Sequence, residues 1–509
     1  MKYAFRNARV LTMDAAGTEH ASATVTVDAG IIRAIDTSDS ARVSGPDTAG
    51  TREIDASGKL LMPGLINGHF HSSVNHLKGS LDSLPLEIFM LFESPSDGVA
   101  ASERAVYLRT MLGALEMIRG GVTAVLDDAF FVPSPSAALI DAVMQAYADS
   151  GMRAVLALDQ PDVPEIDKLP YLGELLPAEL RARAAAPAPM DAGGLLECYQ
   201  HLLHRWHDQA GGRLRAAVSC SAPQRVTRRY FAALDELSAQ LGLPFYIHIL
   251  ETKLQRVLGE ERYGGRSLIR YVHEAGHLSD RLNIIHAIWI DEADMDLIAA
   301  AGCVIAHNPI SNLRLGSGVM PFRKLRARGI PICLGSDEAI ADDAISMWSV
   351  AKLAGLIHNI ADADYERWPR AHEILQCLIG GGARAMRHPR PLGQIAVGQQ
   401  ADLVLIDLDT LAFTPLNDLQ RQLVYCENGT SVRMTMVAGE IIYENGRVRG
   451  IDEAAIRAEA RELLANLQRD NEPAREAAQR WLPYYRQMYL KAARRKVGIN
   501  RWVSGSDQP

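Results

Sequence analysis

Between about residues 61 and 385, short apolar, β-branched runs recur, and most are followed by a helix-length amphipathic segment. The runs are Leu60–Ile66, Thr123–Asp127, Arg153–Leu158, Leu214–Ser219, Pro244–His248, Leu282–His286, Cys303–Ala306 and Ile332–Gly335, eight in all. A strand that is apolar on both faces has to be covered on both faces, and crossover helices do that in parallel sheets. Repeated strand–helix units therefore predict an α/β protein with a parallel sheet, and eight units favour a closed (β/α)8 TIM barrel over residues 61–389. A doubly wound open sheet is the alternative. It is disfavoured because no GxGxxG follows an early strand.

The two ends read differently. Val25-Thr26-Val27, then Asp28-Ala29-Gly30, then Ile31-Ile32 is a hairpin with a glycine-containing turn. The stretch from about 395 to 447 has the same character, with runs at Ala401–Asp407, Val432–Val437 and Glu440–Tyr443. Residues 1–60 and 390–450 are thus expected to assemble one small β-sandwich from both termini. From 451 to 509 the chain predicts a charged, amphipathic helical extension anchored by Trp481, Tyr484, Tyr485 and Tyr489, wrapping the barrel or packing on another subunit. An Ala/Pro-rich stretch, 161–194, follows the third strand, where a barrel's active-site loops emerge, and reads equally as a lid or as a plain insertion.

With 48% hydrophobic residues and a net charge of −8, the 509-residue chain resembles an ordinary globular protein and has no extended basic surface for nucleic acid or anionic membrane. Arg494, Arg495 and Lys496 form one basic cluster, read as a solvated helix end. The N-terminus runs straight into an alternating strand pattern, without the charged-then-apolar leader of a signal peptide. No apolar run approaches membrane-spanning length. Six cysteines without CxxC pairing read as reduced thiols, which points to the cytoplasm.

The chemistry begins at His69-Phe70-His71. On a strand, residues i and i+2 point the same way, and at the C-terminal end of a barrel strand that direction is the active-site mouth. Two neutral imidazoles so placed suit a borderline divalent metal. His248 ends the run Phe245-Tyr246-Ile247, His286 ends Ile284-Ile285, and Asp337 follows Cys333-Leu334-Gly335-Ser336. Any one of these could be a satisfied core residue. Four metal-competent or proton-handling positions, at the ends of strands one, five, six and eight, are hard to assign to packing.

These motifs bring out a family resemblance. Pro63-Gly64-Leu65-Ile66-Asn67-Gly68-His69-Phe70-His71 resembles the strand-one signature of the amidohydrolase superfamily, and His248-Ile249-Leu250-Glu251 the HxxE of its deaminase branch. His286–Asp291 and His307–Gly318 are similar to the strand-six and strand-seven blocks of the ATZ/TRZ group, and Gly398–Leu403 to that group's return into the β-sandwich. The group includes triazine hydrolases, guanine deaminase and methylthioadenosine/S-adenosylhomocysteine deaminase, and the match runs from about 1 to 447. The resemblance implies a metal held by His69, His71, His248 and Asp337. Binuclear members carry a lysine or glutamate on strand four; Arg213–Ser221 has neither, which implies one divalent metal per subunit. Zinc is the default, and Fe2+ or Mn2+ suits the same donors. Water acidified by the metal would lose its proton to Asp337, His286 would orient the water or polarise the substrate, and Glu251 would protonate a ring nitrogen and the leaving group.

The substrate side departs from the best-known relatives. The loop Ser221–Arg225 lacks the histidine that nucleoside-type deaminases carry there, and Glu338 follows Asp337 where relatives often have glycine. Gln224, Arg225, His76, Trp289 and Glu338 are the candidate substrate contacts, the extra carboxylate favouring a cationic or amino-bearing substrate. His273-Glu274-Ala275-Gly276-His277 matches HExxH, but Gly276 reads as a helix C-cap that would break the motif. His201, His204, His207, His358 and His372 read as surface residues. The expected activity is hydrolytic deamination of a small, heteroaromatic amine by a homo-oligomeric enzyme. The alternatives are displacement of an alkylamine, chloride or ring amide nitrogen on the same fold, and an inactive scaffold.

Overall fold

The computed structural model describes residues 1–37 and 50–502. Parts of two sequence-predicted segments, 38–49 in the N-terminal strands and 503–509 in the helical extension, lie outside the described residues.

Strands from both ends of the chain join in one nine-stranded sheet. Lys2–Leu11, Glu19–Asp28, Ile31–Asp36, Thr51–Asp55 and Lys59–Pro63 come from the N-terminal side, and Leu403–Asp407, Val432–Val437, Glu440–Glu444 and Arg447–Val448 from the other. The two groups meet where Lys59–Pro63 runs antiparallel to Leu403–Asp407, with Leu61 opposite Leu405. The expected hairpin forms at Ala29-Gly30, and a second forms at Ala438-Gly439. All four turn residues have positive φ (50°, 78°, 49° and 76°), the backbone hand that two-residue hairpin turns require. Tyr3, Phe5, Val25, Leu403 and Met436 share the core of this sheet.

The middle of the chain forms two five-stranded sheets in which every pairing is parallel. One runs Asp337–Glu338, Leu65–His71, Val122–Ala129, Arg153–Leu158, Leu214–Ala216; the other runs Val218–Ser219, Phe245–Ile249, Leu282–His286, Val304–His307, Ile332–Leu334. Only Ala217 separates the sheets at one junction, and only Gly335 and Ser336 at the other. One buried cluster draws side chains from all eight expected strands, among them Ile66, Leu126, Val155, Ala217, Tyr246 and Ile285.

The first expected strand needs correction. Leu60–Ile66 is not one strand: Lys59–Pro63 belongs to the terminal sheet and Leu65–His71 to the parallel one, with Gly64 between them. Both pieces are buried on both faces, so apolarity continues across the break and cannot mark it. Gly64 sits where a Cβ would lie 2.1 Å from Thr123 Cγ2, so only glycine lets the chain pass between sheets there.

The extension forms helices Glu453–Asp470, Glu472–Ala478 and Leu482–Ala493, folded against its own chain. Arg104 pairs with Glu459 at 2.5 Å, and Trp481 and Tyr485 are buried, with Tyr484 and Tyr489 partly so. It also clasps the Ala/Pro-rich segment, through Lys491–Glu174 at 2.5 Å and Arg480–Glu179 at 2.9 Å. No helix among the described residues is long and apolar enough to cross a membrane.

Candidate metal and catalytic centre

The parallel strands deliver His69, His71, His248, His286 and Asp337 to one buried point. Strand Leu65–His71 does this through a break in period two. Leu65 and Phe70 belong to one core cluster and Ile66 to another, although 66 and 70 should share a face. The register against Val122–Ala129 slips between Asn67 and Phe70, and the slip reconciles them. The strand ends are bent sharply: Ser221, Leu250, His286, Ala287 and Asp337 all have φ between 48° and 72°. Left-handed non-glycine residues are costly and gather at functional sites. Asn67 braces the last bend, its amide donating to Ser336 Oγ (2.8 Å) and its carbonyl accepting the Ser336 N–H (3.0 Å). Gly335 is required at this contact, since a Cβ there would lie 2.8 Å from His69 Cβ.

Asp337 Oδ1 lies 3.4 Å from His69 Nε2 and 3.5 Å from His71 Nε2, and the His69 and His248 rings are 5.0 Å apart. Three overlapping triads bring their donor atoms within 4.8 Å: His69/His71/Asp337, His69/His248/His286 and His71/Asp159/His248. The tautomers favour a cation. His71 Nδ1 contacts the Asp128 carbonyl, and His248 Nδ1 lies 2.8 Å from the Ser221 carbonyl. A carbonyl only accepts, so each Nδ1 carries the proton and each Nε2 keeps its lone pair, as metal-binding imidazoles do. His69 Nε2 is buried without a hydrogen-bond partner. Burial lowers the His69 imidazole to about 4, and burial with the neighbouring imidazoles holds His248 well below its usual value, so both stay neutral. Burial alone would raise Asp337, but the imidazoles of His69, His286 and His71 gathered around it hold its carboxyl well below the usual carboxylate range. Imidazoles gathered around an ionised carboxylate are the donor set a divalent metal needs.

Glu251 and His286 stand beside that point. His286 Nδ1 is 2.9 Å from Asn312 Oδ1, and its Nε2 lies 3.5 Å from Glu251 Oε2 and 3.7 Å from Asp337 Oδ2. Burial raises the Glu251 carboxyl, and its Oε1 accepts from Ser317 Oγ at 3.1 Å.

Residues 60–442 match the amidohydrolase family. The chain belongs to that family. It is 29% identical over 463 residues to a 5'-deoxyadenosine deaminase of Methanosarcina mazei, covering 91% of this chain and 97% of that protein. It is 30% identical over 415 residues to a 5-methylthioadenosine/S-adenosylhomocysteine deaminase of Nitratidesulfovibrio vulgaris, covering 82% and 87%. Among solved structures, an adenosine deaminase from Xanthomonas campestris with bound zinc aligns with a TM-score of 0.78 and 26% identity, over 92% and 98% of the two chains. An atrazine chlorohydrolase from Arthrobacter aurescens TC1 complexed with zinc aligns at 0.79, with 23% identity over 91% and 100%, a likeness of fold.

The expected substrate contacts of this amidohydrolase fall in different places. Glu338 adjoins Asp337, with its Oε2 unpartnered, and has Glu93 as a neighbouring carboxyl; burial and that neighbour raise its own carboxyl well above normal. Gln224 and Arg225 line a small recess with Glu87, where burial lifts the Glu87 carboxyl to about 7. Trp289 is fully buried and donates to the Ser317 carbonyl at 2.7 Å, and Ser317 in turn donates to Glu251. His76 faces a separate cavity beside the centre. His358 is not a surface residue: it is buried, stacked on Phe322 and 3.1 Å from His307 Nε2. His207 Nδ1 accepts the Ala216 N–H at 3.1 Å and so steadies a strand. The HExxH helix ends at Glu274, and Gly276 has φ 81°, which breaks that motif as expected.

Sequence reasoning missed Asp159 and Glu93. Asp159, one residue past strand Arg153–Leu158, had the same strand-end position that marked the others. Glu93 had no such signal: it ends a helix, Leu86–Glu93, that tertiary packing lays against Glu338.

Proposed function

We propose that this amidohydrolase is a metal-dependent hydrolytic deaminase of a small heteroaromatic amine, with the two parallel sheets as halves of one (β/α)8 barrel over 61–389. The terminal strands, 1–60 and 390–450, then form a β-sandwich, and 451–509 is an added helical extension. Strand pairing on either side of Ala217 and of Gly335-Ser336 supports closure, as does the cluster fed by all eight strands.

His69, His71, His248 and Asp337 would hold one metal, zinc by the default of that donor set and Fe2+ or Mn2+ by its tolerance, which supplies acidified water near neutral pH. Asp337, ionised and between imidazoles, accepts the water proton. His286, fixed by Asn312, presents Nε2 to the same space and orients the attacking water or the substrate. Glu251 carries the reading: a buried carboxyl with a raised pKa retains a proton to give a ring nitrogen and, recharged with the proton Asp337 took from the water, gives one to the departing amine. A poor leaving group such as ammonia is where a proton donor matters most, and the Methanosarcina and Nitratidesulfovibrio relatives carry deaminase names. Aminated heterocycles, adenine nucleosides first among them, are therefore the substrates to try.

The test is turnover of zinc- and iron-loaded protein on a panel of aminated, chlorinated and N-alkylated heterocycles, read by mass spectrometry. Ammonia release should fall on the order of 10²–10⁴-fold in Glu251→Gln, with metal content unchanged. Turnover that releases only chloride or alkylamine would sink the deaminase reading.

A further inference from the structure

Beside the candidate centre lies a cavity of about 60 Å³ that none of the roles above uses. Its walls include the turn Ser72–Leu77 that follows the metal strand, helix Glu103–Arg119, the segments around Glu93 and Phe130, and the extension around Leu467, Asn471 and Arg475. At ~10–15 Å³ per water-sized site, it holds about four water-sized groups, the bulk of a carboxylate or phosphate headgroup.

Its nitrogen donors are unusual. The described residues contain three buried arginines: Arg109, Arg153 and Arg215, at 7%, 1% and 9% exposure. Arg153 is held bidentately by Asp402, and Arg215 pairs with Asp208. Arg109 lines the cavity with its Nε buried and unpartnered, and Asp127, the carboxylate whose charge acts on it, already accepts from the Ser72 N–H and the Tyr147 hydroxyl. His76 enters from a second side with Nδ1 buried and unpartnered, and Arg475 from a third. Glu93 is the acidic group on the wall, and its Oε1 has no partner either. An uncompensated buried guanidinium is costly, and it favours an acceptor that brings negative charge. Guanidinium forks match carboxylate and phosphate oxygens.

We propose that this cavity is an oxyanion-binding site in which Arg109, His76 and Arg475 hold a small carboxylate or phosphate. The cavity reaches the candidate centre through Phe130, whose ring centroid is 5.9 Å from that of His71, and through Glu93, which contacts Glu338. The oxyanion is thus either a free anion or the anionic end of a substrate seated at the centre. The site does not rest on the deaminase reading, because binding is measurable without turnover.

Inorganic phosphate titrated into the full-length, metal-loaded protein should raise its melting temperature by about 1–3 °C at saturation. That rise should vanish in Arg475→Gln and in Arg109→Met. In anion-free buffer Arg109→Met should melt no lower than the parent, since it deletes an unpaired buried charge. Arg475→Gln, at the edge of the cavity, covers the case in which Arg109→Met fails to fold. No shift with phosphate, or an equal shift in Arg475→Gln, overturns the proposal. Where turnover is available, competitive inhibition by phosphate assigns the site to the substrate's own anionic group, and noncompetitive inhibition assigns it to a separate small anion.

Discussion

Asp342 shows how strongly single positions near this centre depend on their surroundings. Burial, reinforced by Glu116 and Asp343, pushes its carboxyl up to about 8, and its Oδ2 has no hydrogen-bond partner. The folded protein therefore keeps a proton that the unfolded chain releases above about pH 4. Stability contributed at this residue is complete below that pH and drains away as pH rises toward 8. Replacing it by asparagine removes the titration. The urea midpoint of Asp342→Asn should gain on the parent between about pH 4 and pH 8 and run parallel above it; parallel profiles throughout would show that the group titrates normally.

At the scale of elements, the last described residues act as a strap on the loops that hold Glu251. Arg501 donates to the carbonyls of Ile288 (2.8 Å) and Ile290 (2.6 Å), and its own carbonyl accepts from Val319 N–H (2.8 Å). Trp502 donates to the Gly316 carbonyl at 3.0 Å and packs edge-on against Trp289. Between these contacts sits Ser317, which donates to Glu251. The strap thus reaches Glu251, the proposed proton donor, through Ser317. Arg501→Ala should lower kcat on the order of tenfold or more, with less change in KM. Ser317's hydrogen bond favours ionised Glu251, so losing it raises that carboxyl and moves the alkaline limb of kcat to higher pH. A fall in kcat with an unmoved pH profile would make the strap merely structural.

Across the whole molecule, one buried ion pair joins the terminal sheet to the parallel strands. Asp402 Oδ2 accepts Arg153 Nε at 2.7 Å and Oδ1 accepts Nη2 at 2.9 Å, while Ala438 N–H donates to the same carboxylate. Both side chains are almost inaccessible to water. Asp402→Asn leaves a guanidinium uncompensated in that interface and should cost about 3–5 kcal/mol, measured as a loss in urea stability. A loss below about 1 kcal/mol would mean that water reaches the pair in the variant. This contact also explains physically why an Ala-Asp-Leu motif marks the chain's return to the terminal sheet.

The apolar runs of the middle of the chain, the strand-end positions of His69, His71, His248, His286 and Asp337, the hairpin at Ala29-Gly30 and the helical extension could all be read along the chain, although the runs Leu60–Ile66 and Leu214–Ser219 each divide between two sheets. Each is encoded locally, by period, by turn chemistry or by which residue closes a buried run. Tertiary structure alone decided where the run Leu60–Ile66 divides between two sheets, because burial on both faces erases the boundary in sequence. It alone brought Glu93 to Glu338, sent Trp289 behind Ser317 and walled a cavity with Arg109, His76 and Arg475. Those contacts join residues from distant parts of the chain, and no local pattern records which of them packing brings together.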